Sequence, residues 1–263
     1  MSKIYTIVNQ KGGVGKTTTS INLGVYLGTL NQRVLLIDLD PQANASSCLG
    51  IDKNSITKGT YEVLIGAIAP HEPILYNSAY KISLLPSSPN LSGAEIELVD
   101  LPERESRLNK AVQELNERYD YILIDCPPSL GLLTLNGLMS AQDGVIIPVQ
   151  CEYLALEGLG QLTRTLARVK QNLFWGLKIR GVLLTMFDGR TNLSTDVMHE
   201  VQKFFPEKMF TTFIPRSIRL AEAPSFGMPI AVYAPESSGA KAYRSLAMEL
   251  LISDGVPIHS KQE

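Results

Sequence analysis

Apolar residues along the chain fall into short unbroken runs separated by longer stretches of helical period. Ile4-Tyr5-Thr6-Ile7-Val8 opens the series, and Val34–Leu39, Ile82–Pro86, Tyr121–Asp125, Gly144–Val149 and Gly181–Thr185 follow it. Short continuous apolar runs are expected of parallel strands buried on both faces. Between them, Thr17–Asn31 puts Ile21, Val25 and Gly28 on one stripe, and Leu159, Leu162, Leu166, Val169 and Leu173 recur in helical register. Leu108, Val112 and Leu115 mark a further helix. Ser194 is expected to cap one carrying Val197, Val201 and Phe204, and Ala240–Ile252 to present Tyr243, Leu246 and Leu250 to the body. Phe210–Ile214 reads as an edge or late strand ended by Pro215. Residues 51–80, broken by Gly59, Gly66, Pro70 and Pro73, predict turns around one short helix near Tyr61–Ile68. Alternating strands and helices give an α/β fold with a doubly wound, mostly parallel sheet flanked by helices. One domain is expected over residues 1–252, followed by a polar tail, 253–263, expected to fray.

The junctions of this pattern carry the chemistry. Between the first strand and the first helix lies Gln10-Lys11-Gly12-Gly13-Val14-Gly15-Lys16-Thr17-Thr18. Glycines let the backbone turn its N–H groups toward phosphate oxygens, and the helix N-terminus beyond adds orphan donors and partial positive charge. In such a loop Lys16 is expected to reach the β- and γ-phosphates of a triphosphate, and the Thr17 hydroxyl to take one position on Mg²⁺. Gln10 stands where the usual pattern has its first glycine, and a second lysine, Lys11, accompanies it. Two later strands close on carboxylates, Asp38 with Asp40, and Asp125. If the strands are parallel neighbours, these acids lie beside the phosphate loop. Taken as a local pattern, Asp40-Pro41 also suits the start of a turn, the lesser of the two readings.

The loop resembles the deviant Walker A motif of the ParA/MinD group of P-loop ATPases, Lys-Gly-Gly-x-Gly-Lys-[Ser/Thr], both lysines included. Asp38-Leu39-Asp40-Pro41-Gln42 and Asp125-Cys126-Pro127-Pro128-Ser129 look like that group's two switch segments, and Gln150–Gly158 like its dimer-interface segment. Asp188-Gly189-Arg190-Thr191-Asn192-Leu193 and Ile218–Ser225 are similar to the chromosomal ParA, or Soj, branch, and the resemblance runs from residue 3 to about 250. It implies an ATPase using ATP and Mg²⁺ in which Lys11 reaches the partner's ATP across a homodimer and Glu152 meets the ribose. It implies that Asp40 positions the attacking water, that Asp38 and Asp125 support the metal shell, and that Thr185, Pro215 and Arg216 surround the adenine. It also implies weak intrinsic activity stimulated by a ParB-type centromere-binding protein, and non-specific binding of double-stranded DNA through Arg190 and Arg219.

Charge is compatible with that DNA arm only through its distribution. The net charge of −2 by itself argues against a nucleic-acid binder, yet residues 161–220 hold 10 Lys/Arg against 4 Asp/Glu, while residues 1–160 hold 11 against 17. Such an excess makes either one basic face or ordinary solvated helix surface. Lys203, Lys208 and Lys241 are DNA-contact candidates on local charge alone. Three scattered cysteines, Cys48, Cys126 and Cys151, have no metal-ligand spacing and read as small buried hydrophobes. No leader pattern opens the chain and no apolar stretch approaches the ~18 residues of a membrane span, so a cytoplasmic protein is expected, and the resemblance implies that it is nucleoid-associated. The alternatives on the same fold are a membrane-associated, MinD-like positioning ATPase and an ATP-dependent small-molecule synthetase. The first needs a basic amphipathic C-terminal helix, which Ser253–Ile258 does not offer, so no membrane partner is expected.

Overall fold

The computed structural model describes residues 1–153 and 155–257; Leu154, within the expected interface segment, and the tail residues 258–263 lie outside the described residues. Its centre is the strand β1 (Lys3–Ile7), which pairs in parallel with β5 (Tyr121–Asp125) on one side and β6 (Gly144–Gln150) on the other. Outward from β5 come β2 (Val34–Asp38) and β4 (Ile82–Leu85), also parallel, and then β3 (Leu75–Asn77), the antiparallel edge. Beyond β6 lies β7 (Ile179–Thr185), giving the seven-stranded order β3-β4-β2-β5-β1-β6-β7. The order reverses direction at β1, so the loop after β1 opens into a crevice at the carboxyl ends of the strands.

Alternate residues of each strand feed two cores. Leu35, Ile37, Ile122 and Ile124 face one layer, which includes α3 (Thr60–Ile65), α4 (Leu91–Glu97), α5 (Arg107–Leu115), α6 (Leu132–Ser140), α7 (Ala155–Asn172) and α8 (Asn192–Phe204). Val34, Leu36, Tyr121 and Leu123 face the other, built mainly on α1 (Lys16–Thr29) and α11 (Ser238–Ser253), with α2 (Asn44–Cys48), α9 (Ile218–Glu222) and α10 (Ile230–Tyr233) around them. Helix α1 lies close against the sheet layer through its glycines: a Cβ on Gly28 would stand 2.3 Å from the Lys81 carbonyl oxygen. Among the described residues no helix is long and apolar enough to cross a membrane.

Three local expectations are corrected. Phe210–Ile214 runs beside β7 without forming a strand, flanked by isolated bridges of Met209 with Val182 and of Pro215 with Phe187. The Phe210 and Ile214 N–H groups reach Val182 and Leu184 at 3.0 and 2.9 Å, but those of Thr211 and Thr212 donate to the Glu249 carboxylate on α11, which interrupts the ladder. The cap of α8 is Thr191, whose hydroxyl accepts from the Ser194 N–H; Ser194 sits inside the first turn, and its hydroxyl accepts from the Asp188 N–H. The tail does not fray at its start. Asp254 accepts hydrogen bonds from the Tyr5 and Tyr121 hydroxyls at 2.7 and 3.0 Å and pairs with Arg180 at 3.0 Å.

Candidate functional site

The loop after β1 has the backbone its glycines permit. Gly13 and Gly15 adopt φ of 75° and 88°, the left-handed region that favours glycine, and Gly15 leads directly into α1 with no side-chain cap. The first N–H groups of that 14-residue helix therefore point into the loop without an intrahelical partner. Lys16 is buried and curls back so that its Nζ donates to the Lys11 carbonyl at 3.0 Å. Gly12 and Gly13 are exposed, whereas Val14 is buried and its carbonyl accepts from the Thr185 hydroxyl. Asn9 shapes the entry, accepting from the Lys11 N–H and donating to the Pro148 carbonyl.

The acids converge because their strands are adjacent and in register: Asp38 lies opposite Asp125, and Asp125 opposite Ile7. Asp125 is fully buried and accepts from the Thr17 hydroxyl at 2.7 Å and the Ser20 hydroxyl at 2.9 Å. Asp38 accepts from the Ser46 N–H and hydroxyl. Asp40 is 6% exposed; its Oδ1 accepts from the Gln42 N–H, and its Oδ2 has no hydrogen bond among the described residues. Burial, reinforced by the charge on Asp38, pushes the Asp125 carboxyl up to about 7. Burial likewise pushes Asp38 up to about 6, against the opposing hydrogen bonds from Ser46. Lys16 is lowered by burial and raised by Asp125.

Three buried carboxylates share one buried ammonium, so the site is short of positive charge, while the loop and helix N-terminus beside it are short of an anion. Both deficits fit Mg²⁺ carried by a nucleoside triphosphate. Among the described residues no cluster of three His, Cys, Asp or Glu side chains forms a cage of its own. Nucleotide-borne Mg²⁺ uses few protein ligands and keeps several waters, so none is required.

Next to the loop a largely apolar cavity of about 200 Å³ is lined by Gly15, Thr18, Thr185, Pro215, Arg216 and Tyr243, among others. It joins the expected adenine surroundings, Thr185 from the end of β7 and Pro215 and Arg216 from the segment before α9, to the phosphate loop. On the other side of the loop Lys11 pairs with Glu152 at 2.9 Å, and the Gln150 amide also donates to Glu152.

The expected DNA contacts are only partly brought together. Arg190 follows β7, and Arg219 lies on α9, just beyond a segment zipped to it by the Phe187–Ile214 and Arg216–Phe187 backbone bonds. Lys241 stands on the first turns of α11, where Gly239 packs against Leu220, next to Arg219. Lys203 is at the far end of α8 from Arg190, and Lys208 is near the opposite end of β7, its carbonyl bonded to the Val182 N–H.

Residues that sequence reasoning missed are mostly hydroxyls. Ser20 lies one helical turn after Lys16 and so on the same face, a spacing that could have found it. Ser46 had no such signal.

A family model described as an AAA domain matches residues 2–179. The sporulation initiation inhibitor protein Soj of Bacillus subtilis is 52% identical over 250 residues, covering 95% of this chain and 98% of that one. The chromosome partitioning protein ParA of Myxococcus xanthus is 50% identical over 255 residues, covering 97% and 89%. Structures of a cobyrinic acid a,c-diamide synthase from Mycobacterium smegmatis, one with ADP and magnesium and one with an ATP analogue and magnesium, superpose with TM-scores of 0.85 at 37% identity, covering 99% or more of this chain and all of the other. With the phosphate loop, the in-register carboxylates and half-identity to Soj and ParA over nearly its whole length, the chain belongs to the ParA/MinD family of P-loop ATPases, on its Soj/ParA chromosome-partitioning branch.

Proposed function

We propose that this protein is a partitioning ATPase that works as a nucleotide-gated dimerising switch, binding DNA without sequence preference in its ATP state and releasing it after hydrolysis. The observation that carries this reading is the meeting of Lys16, Thr17 and the Asp38–Asp40–Asp125 cluster at one loop, with Lys11 at its mouth. Lys16 and the loop N–H groups hold the β- and γ-phosphates of ATP. The Thr17 hydroxyl would hold Mg²⁺, with Asp125 and Asp38 supporting the metal's shell. When bound, Mg²⁺ neutralises charge developing on the phosphate oxygens. The free Oδ2 of Asp40 accepts a hydrogen bond from the attacking water and holds it in line.

Lys11 and Glu152, paired within one chain, exchange their partners for the nucleotide of a second subunit, which makes ATP binding and dimerisation one event. The dimer then presents Arg190 and Arg219 twice to DNA phosphates. Hydrolysis is weak until a ParB-type partner stimulates it, so the protein cycles on and off the nucleoid in the cytoplasm, with no membrane partner.

Light scattering with ATP tests the dimer directly. Wild type should dimerise, Lys11→Ala should bind ATP and stay monomeric, and Lys16→Ala should bind no nucleotide; an ATP-bound Lys11→Ala dimer would remove the trans role of Lys11. A second reading, ATP-dependent amide synthesis, is favoured by the likeness to the diamide synthase. It requires a small-molecule acceptor to raise ATP turnover, and failure of cobyrinic acid with an amide donor to do so would discard it.

A further inference from the structure

Nearly every cation assigned to the DNA face carries its own acid. Arg190, with a side chain 90% exposed, donates from Nε and Nη2 to the two carboxylate oxygens of Asp188 at 2.9 and 2.7 Å. Arg219 donates to Glu222 Oε2 at 3.0 Å, and the Tyr233 hydroxyl donates to the same oxygen, also at 3.0 Å. The Tyr233 ring is itself stacked on Phe226, with centroids 5.0 Å apart. Lys203 pairs with Glu200 and Lys241 with Glu236. In each pair the acid lies within five residues of its cation, so the pairs belong to the folded subunit and need no partner.

Exposed pairs of this kind are weak enough for a phosphate to displace the carboxylate. The displaced carboxylate nevertheless stays within a few ångströms of the phosphate, since the Arg190 backbone N–H holds Asp188 and the Tyr233 hydroxyl holds Glu222. It therefore opposes DNA binding without preventing the fold of the face.

We propose that Asp188 and Glu222, seconded by Glu236, are electrostatic guards that keep one subunit's cations too weak to hold DNA, so that binding requires the doubled face of the dimer. This rests on the reading of Arg190 and Arg219 as DNA contacts. A unit charge about 6 Å from a phosphate in water changes affinity about three-fold. Two guards then weaken a monomer about ten-fold and four weaken a dimer about a hundred-fold, whereas linking two faces multiplies their affinities. The guards thus leave the ATP dimer able to bind while holding the ADP monomer off.

The test uses the full chain carrying Asp188→Asn and Glu222→Gln, near-isosteric changes, in mobility shifts with short duplexes of unrelated sequence at low salt. With ADP the double variant should bind about ten-fold more tightly than wild type, and each single variant about three-fold. Glu236→Gln should shift affinity in the same direction by less. Unchanged or weaker binding by the double variant, in protein that still dimerises with ATP, overturns the inference and makes these acids positioning residues for the arginines. Wild type bound to no duplex even with ATP would overturn the DNA reading beneath it; wild type bound with ATP while the variants gain nothing sinks the guards alone.

Discussion

Asp125→Asn should stabilise the protein in the absence of Mg²⁺ and nucleotide, and should do so more at high pH than at low. Asp125 is 0% exposed, and its carboxyl is pushed from 3.8 up to about 7, first by burial and then by the charge of Asp38. The folded chain therefore binds this proton more tightly than the unfolded chain, and wild-type stability falls as pH rises from the unfolded value through about 7. Each pH unit in that window is worth about 1.4 kcal/mol. Asparagine has no charge to lose. The hydrogen bonds it makes less well to Thr17 and Ser20 lower its stability by a fixed amount, but the gap between variant and wild type should still move in the variant's favour by about 3 kcal/mol between pH 5 and pH 8. For a chain of this size that is roughly 6–12 °C in melting temperature. Asp38 is present in both proteins, so its own slope largely cancels. Urea unfolding in EDTA at the two pH values measures the gap. A gap that does not widen, or a variant that loses ground at pH 8, would refute the picture of three carboxylates held short of positive charge.

Gly28→Ala should destabilise the fold by about 1–2 kcal/mol, because the overpacking against the Lys81 carbonyl outweighs the helix propensity gained. Gly24→Ala should lose less, since the atom it meets is the end of the Ile82 side chain; equal losses in thermal melts would contradict the close approach at Gly28. Arg190→Glu should weaken DNA binding at least ten-fold in the ATP state and leave dimerisation intact, as read by mobility shift and light scattering; unchanged affinity would remove Arg190 from the face. For wild type, log affinity against log salt should fall by about 0.9 per neutralised phosphate, and a flat response would exclude phosphate contacts.

The strands that build the site were legible because parallel strands covered on both faces must be apolar throughout, and a change to a carboxylate marks where β2 and β5 emerge at the crevice. The run Tyr121–Asp125 and its register partner Val34–Asp38 show this directly. Helix α6 was not legible: it is apolar on nearly all sides, because Leu133 and Leu138 face the core while Gly137 packs on Cys126 and Leu39, so no period stands out. Strand β3 is a three-residue antiparallel edge with exposed Leu75 and Tyr76, which gives it no apolar signature. Phe210–Ile214 misled because its strand-like composition says nothing of Glu249, thirty-odd residues away, taking its N–H groups. In the site, the lysines, Thr17 and the aspartates could be placed by motif. Ser46 on Asp38 and the anchoring of Asp254 by Tyr5, Tyr121 and Arg180 depend on tertiary contacts with no local spacing to announce them.

The most direct measurement of the switch is a mobility shift with Asp40→Ala protein, which should bind ATP and not turn it over, on unrelated duplexes with ATP or ADP at two salt concentrations. Binding of every duplex with ATP only, lost at the higher salt, is the predicted result. Binding that is equal with ADP, confined to one sequence, or absent throughout would contradict a nucleotide-gated, phosphate-reading DNA face.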